Sequence, residues 1–269
     1  MNDSSVYAFE PWQICVAFFA GILIFAYLGL KSRIPSGKDS ESASASIPFR
    51  SSVSALGTVL SLLIGFTFGM SEERFITYKK VMTDEINRIS TACIKSDLYP
   101  EPYRSELRKN FSDYVEARIS FYDAENDINK INESKNKSGI AGKNLWEISS
   151  RLFRDQVYDN ASRLMIPSLT EMFDASNTRD VSLRSKSPFW IILMIFIITF
   201  LAVYIYTLGL TVLRRKEIIF IFSFAIVITM ITFIILELDR PDSGIIKPTV
   251  EQEAMIELRK HFTEQGGLK

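Results

Sequence analysis

Two clusters of charged side chains are the first candidates for chemistry in this sequence. One is Asp84, Glu85, Asn87 and Arg88, inside an uninterrupted amphipathic stretch. The other is Glu237, Asp239, Arg240, Pro241 and Gly244, directly after a long apolar run. Carboxylates and a guanidinium beside a membrane helix can line an ion path and select by charge. The plainer alternative is anchoring. Glu85 and Arg88 are one helical turn apart and spaced to pair with each other, and charges at a helix exit hold it at the interface. A third pattern carries no charge. Gly57, Ser61, Gly65 and Gly69 recur at every fourth residue of an apolar helix. In lipid such a stripe lets another helix approach closely, and small residues also suit a hydrated lining.

Enzyme machinery lacks parts. The chain has one histidine, His261, so Ser–His and Cys–His arrangements and multi-histidine metal sites are incomplete. No glycine-rich phosphate loop follows a strand. Cys15 lies in an apolar run and Cys93 in the amphipathic stretch, with no CxxC pair. They read as small buried hydrophobes, with a Cys93–Cys93 bridge between subunits as the alternative. The expectation is a protein without enzymatic activity, catalytic residues, cofactor or metal. Lys plus Arg and Asp plus Glu both number 31, so no global charge points to nucleic acid.

The elements that must position these residues follow from how hydrophobicity is distributed. Mean hydropathy is +0.12 although 23% of residues are charged, because the apolar residues are concentrated in four runs at 12–30, 53–70, 189–213 and 218–236. Each is long enough to cross a bilayer or nearly so. Trp12 and Trp190 suit the interface, and Lys31 and the Arg214-Arg215-Lys216 run close two of the spans. The expected fold class is an all-α integral membrane protein. Four transmembrane helices carry an α-helical bundle domain inserted between spans two and three. The divisions are 1–70 for spans one and two, 71–187 for the aqueous domain, 188–236 for spans three and four, and 237–269 for a turn and a short amphipathic helix.

Span two continues without Pro or Gly from Ser71 to Tyr99, so one long helical rod is expected from Val53 to about Pro100. Its aqueous half places Phe75, Tyr78, Met82, Ile86, Ile89 and Cys93 on one face. A second helix carries Leu107, Phe111, Tyr114, Val115, Arg118 and Tyr122 at the same spacing. Residues 32–52 read as a loop, and 126–143 as a loop or a frayed helix end, from their Pro, Gly, Ser and Asn content. A third helix is expected to carry Leu145, Ile148, Leu152, Val157, Ala161 and Leu164, with Pro167 kinking or ending it. A more polar segment, 168–187, leads back to the membrane, and a last helix spans about 250–261.

With four spans, the exits of spans two and four lie on the side of the helical domain. That placement predicts pairs of Asp239 with Arg74 or a nearby backbone amide, and of Arg240 with Glu72 or Glu73. The short-loop cations are Lys31, Arg33, Lys38 and Arg50 in the first loop and Arg214, Arg215 and Lys216 in the second. All lie on the opposite side, so the positive-inside rule puts 71–187 outside the cytoplasm.

The combination GTVLSLLIGFTFGMSEERF, DEINRI, KSDLYPEPYRSELRKNFSDYVEARI and LELDRPDSGII resembles a bacterial family of four-span membrane proteins described as bestrophin-like. The resemblance covers most of residues 53–250. Glu85, Asn87 and Ile89 match its E-x-N-x-I element. Tyr99, Pro100, Pro102, Tyr103 and Arg104 match its proline turn and arginine-rich helix. Asp239, Pro241 and Gly244 match its D-x-P-x-x-G element, with Arg240 between them. The resemblance implies an oligomeric anion-channel architecture in a bacterial inner membrane, and a cytosolic placement of the helical domain that opposes the loop-charge count.

Two functional readings lead, ahead of a third, a structural membrane protein with no transport. One is a homo-oligomer in the lipid bilayer whose second spans surround a pore for small ions. The other is a membrane-anchored sensor or scaffold whose helical domain binds a partner or ligand.

Overall fold

A computed structural model describes residues 9–32, 42–124, 127–184, 187–210, 213–241 and 244–265, with side chains left aside at 42–50, 184 and 261–265. Expectations for 33–41 and for the side chain of His261 lie outside the described residues.

The described chain is helical throughout. The helices are α1 (Pro11–Lys31), α2 (Ser42–Ile94), α3 (Tyr103–Asp123), α4 (Ile128–Arg154), α5 (Asp159–Arg184), α6 (Phe189–Leu208), α7 (Arg215–Leu238) and α8 (Thr249–Gln265), with a short 3₁₀ turn at Lys95–Leu98. Among the described residues, α1, α2, α6 and α7 are long and apolar enough to cross a membrane. The chain forms two compact units, residues 1–74 with 186–239 and residues 75–185 with 240–269.

In the membrane unit α1 packs along α6 and α7. Phe18, Ile22, Ala26, Ile195, Val203, Ile221, Ala225 and Ile228 form its centre. Aromatic stacking aligns the helices: Phe18 and Phe196 lie 4.0 Å apart and Phe25 and Phe200 4.9 Å. Two glycines of α1 permit this closeness. A Cβ on Gly21 would come within 2.7 Å of the Phe200 ring, and one on Gly29 would overlap the Thr207 hydroxyl and lie 2.6 Å from the Tyr204 carbonyl. Several hydroxyls inside the spans bond to their own helix. Thr199 donates to the Ile195 carbonyl at 2.7 Å and Thr232 to that of Ile228 at 2.9 Å, which satisfies these donors without water.

In the helical unit the aqueous half of α2 packs with α3, α4, α5 and α8 around Met82, Ile89, Leu107, Phe111, Leu145, Met165, Leu169, Met172 and Met255. The expected faces of α2 and α3 are the buried ones.

Three boundaries differ from expectation. The 32–52 stretch is not a loop throughout: α2 begins at Ser42 and includes Pro48, which removes one intrahelical hydrogen bond without breaking the helix. The 126–143 stretch is helix α4 from Ile128. Asp127 caps it, accepting from the Asn129 and Lys130 amides at 3.0 and 3.3 Å. Its buried residues there are Ser134, Ser138, Ala141 and Gly142, a small-residue face rather than an apolar one. The expected third helix stops at Arg154. Gln156 and Tyr158 then adopt φ of 55° and 58°, and α5 runs on through Pro167. Val157 and Leu164 are exposed. Burial of Met165, Leu169 and Met172 around the proline opposes its helix-breaking cost of about 3 kcal/mol.

Candidate functional site

The apolar half of α2 is the least covered of the four spans. Eleven per cent of its apolar window is buried, against 33%, 33% and 28% for α1, α6 and α7. A Cβ on Gly57, Gly65 or Gly69 would meet nothing within 4 Å. Ser61 donates to the Gly57 carbonyl at 2.8 Å, so its proton is satisfied within the helix. The stripe's glycines thus have room for a Cβ, while within the membrane unit the glycines in close contact are Gly21 and Gly29 of α1. Sequence spacing missed that pair because they stand eight residues apart, not four.

Where α2 leaves the apolar stretch, Ser71, Arg74, Ser187 and Asp239 converge. Arg74 donates from Nε to Asp239 Oδ1 at 3.2 Å, from Nη2 to Ser71 Oγ at 3.2 Å, and also to Ser187 Oγ. The Ser187 amide donates to Asp239 Oδ2 at 3.3 Å. Asp239 is thus paired with both partners expected of it. It caps the C-terminal end of α7, where the helix dipole disfavours a carboxylate; Arg74 offsets that charge. Arg240 and Pro241 are buried, and the Gly244 amide donates to the Arg240 carbonyl at 2.8 Å, closing the turn. Glu72 and Glu73 are exposed.

In the helical unit Glu85 does not pair with Arg88. Arg88 bonds to Asp84 at 3.3 Å and to Glu171 at 2.6 Å on an exposed face, beside exposed Asn87. Glu85 is fully buried between two arginines from other helices. Arg118 of α3 lies 2.6 Å from Oε1, and Arg179 of α5 lies 2.7 Å from Oε2. The Arg179 guanidinium stands 3.6 Å above the Tyr122 ring. Asp180 continues the network, 3.2 Å from Arg118 and 3.1 Å from Lys135. The separation in sequence explains the correction, since the local partner is one turn away but the true ones lie on α3 and α5.

Burial alone would push the Glu85 carboxyl up. Arg179 and then Arg118 outweigh it and hold the group below its usual range. Burial likewise opposes the charge on both arginines, and Glu85 restores it. A carboxylate locked between two cations is a poor proton donor or acceptor near neutral pH. Sequence reasoning placed Arg118 on the buried face of α3 without naming its counter-ion, and did not single out Arg179. An arginine in the apolar phase of a helix is the usable signal, because it demands a buried carboxylate.

Beside this network a cavity of about 500 Å³ opens among α3, α4 and α5, lined by Arg118, Lys135, Gly139, Trp146, Phe173 and Asp180 among others. Cys15 and Cys93 are both free and buried. Burial pushes the Cys93 thiol up to about 12. Among the described residues no three His, Cys, Asp or Glu side chains gather as metal ligands.

A family model for the Bestrophin-like domain matches residues 14–252. No curated protein matches the chain. Among solved structures it is similar to a bacterial bestrophin homolog from Klebsiella pneumoniae with a tryptophan-to-alanine mutation, at 12% identity and a TM-score of 0.67. That likeness covers 96% of this chain and 99% of the other. A form of the Klebsiella homolog with an isoleucine-to-threonine mutation gives 12% and 0.62 over 91% and 99%. A crystal structure described as a membrane protein with a proline-to-alanine mutation gives 11% and 0.63 over 94% and 98%. At these identities the likeness is one of fold.

Proposed function

This chain belongs to the Bestrophin-like family, and from that premise we propose a homo-oligomer whose second spans surround a shared axis and line an ion-conducting pore. The observation that carries the reading is the open face of α2. A Cβ at any of the three glycines of its Gly57–Ser61–Gly65–Gly69 stripe would have no neighbour within 4 Å, while Leu60 elsewhere on the same span packs with α6 and α7. Small residues on an uncovered membrane helix suit close approach of a second copy or a hydrated lining. The fold likeness to bacterial bestrophin homologs over nearly the whole chain supports the same reading. On this reading the protein is a channel rather than an enzyme, in the inner membrane of a bacterium. The short-loop cations favour a helical domain outside the cytoplasm on this reading. Arg74, Asp239 and their serine partners then fix the end of the span beside the ion path.

Purified protein in liposomes tests the pore. Ion flux that is lost in Gly65→Leu, together with rotational symmetry in particle images, is the expected result. A monomer without flux overturns it. A reporter inserted near Asn136 tests the orientation, and fluorescence from a cytosol-only reporter there reverses it. The second reading, a membrane-anchored sensor, draws on the cavity of the helical domain and predicts ligand binding without conductance.

A further inference from the structure

The cavity of the helical unit has the size and lining of a ligand site. Its volume of about 500 Å³ falls within the usual range for small-molecule pockets. Its walls combine aromatic faces with charge. Tyr114 and Phe173 rings sit 6.4 Å apart, and Trp146, 40% exposed, stands in the lining as well.

Charge around the cavity is unbalanced. Arg118 and Arg179 share Glu85, and Arg118 also shares Asp180 with Lys135. Three cations thus face two carboxylates. Lys143, a further lining residue, lies 3.6 Å from Glu147 outside the pocket. Among the described residues these ion pairs leave the cations one ahead of the carboxylates, next to a space large enough to admit an anion.

The sequence also keeps this space open. Gly139 and Gly142 stand in the interior of α4, where alanine would make a better helix. Gly142 serves contact, since a Cβ there would come within 3.0 Å of Phe173. Gly139 touches nothing: a Cβ would have no neighbour within 4 Å, and the residue lines the cavity.

We propose that this cavity binds a small organic anion, its planar ring against Trp146, Phe173 and Tyr114 and its carboxylate or phosphate beside Lys135 and Arg118. The anion supplies the missing negative charge, and the ring is taken up by the aromatic lining.

Calorimetry on the full chain in detergent tests the site with three probes: indole-3-acetate, adenosine monophosphate and the neutral indole-3-acetamide. At least one anion binds saturably, and the amide binds about tenfold more weakly or worse, the loss expected for one charge-assisted contact. Binding of the acetate alone assigns a carboxylate ligand, and binding of the nucleotide alone a phosphate. Gly139→Leu fills the cavity and abolishes binding with the melting temperature kept. Lys135→Met weakens binding about tenfold by the same reasoning and serves as the reading if Gly139→Leu melts early. The proposal falls if neither anion binds below about 1 mM, an affinity too weak for a built site. It falls equally if the amide matches the anions, or if both variants bind like the parent. The readout is binding alone and does not depend on the pore.

Discussion

The two halves of α2 make opposite demands on the rest of the chain. From Phe75 onward the helix buries Tyr78, Met82, Glu85, Ile89 and Cys93 among its own chain's helices. From Val53 to Met70 it leaves Gly57, Gly65 and Gly69 open, and Val59, Leu62 and Phe66 are exposed. Exposed apolar side chains cost little in lipid, so exposure alone does not require a partner. The small-residue stripe adds the argument, because glycines are unfavourable in a helix unless closeness or space is needed there. The aqueous half buries its apolar face within one chain, and the membrane half leaves room beside its glycines.

The largest expected break comes from the aqueous half. Arg179→Ala leaves Glu85 short of a counter-ion in a fully buried site, and loss of about 3–5 kcal/mol of stability is expected. Chemical denaturation measures it. The same cluster sets an acid limit. Because the folded Glu85 carboxyl is held below its unfolded value of about 4.3, its contribution is complete above that pH. It is lost as pH falls through the folded value. Glu85→Gln should flatten this part of the stability profile.

Next in size is a contrast between glycines. Gly29→Ala drives a Cβ into Thr207 and Tyr204 and should cost about 1–3 kcal/mol by overpacking. Gly65→Leu should leave the subunit's melting unchanged and reduce its oligomeric mass. Equal loss of subunit stability from both would erase the distinction between the packed and the open glycines. A smaller term is the Arg74–Asp239 pair, whose coupling in a double-mutant cycle should be about 1 kcal/mol. The smallest concerns Cys93: with its thiol buried and pushed up to about 12, maleimide should label it only after unfolding. Rapid labelling of native protein would show the aqueous half to be looser than its packing implies.

Much of the architecture was legible because it rests on long apolar runs and regular spacing. The four spans, the continuous α2 and the buried face of α3 follow from those signals. The first half of α4 was hidden because its buried face is Ser134, Ser138, Ala141 and Gly142, which reads as loop in composition though Asp127 marks its start. The break before α5 carries no Gly or Asn to announce it, as Gln156 and Tyr158 take the left-handed conformation. Pro167 suggested a kink or an end where tertiary burial carries the helix through. Of the candidate site, Asp239 and Arg74 were readable from where the spans must end. Glu85 was misread because a local partner one turn away hid two distant ones. The cavity had no signal at all, since it is made by what α4 lacks.

Helix α8 gives the order in which this protein can be finished. It belongs to the helical unit although it follows the last span in sequence. Met255 is fully buried in that unit's core, Arg259 reaches Glu116 at 3.2 Å, and Glu251 reaches Lys79 at 3.4 Å. During synthesis the domain emerges after α2, well before α6 and α7 have been made. Its core then waits, with the Met255 site unfilled, until both remaining spans have left the ribosome and α8 follows. A translation stop just after α7 would therefore leave every span in place and the aqueous domain unsealed, a target for quality-control proteases rather than a shorter working protein.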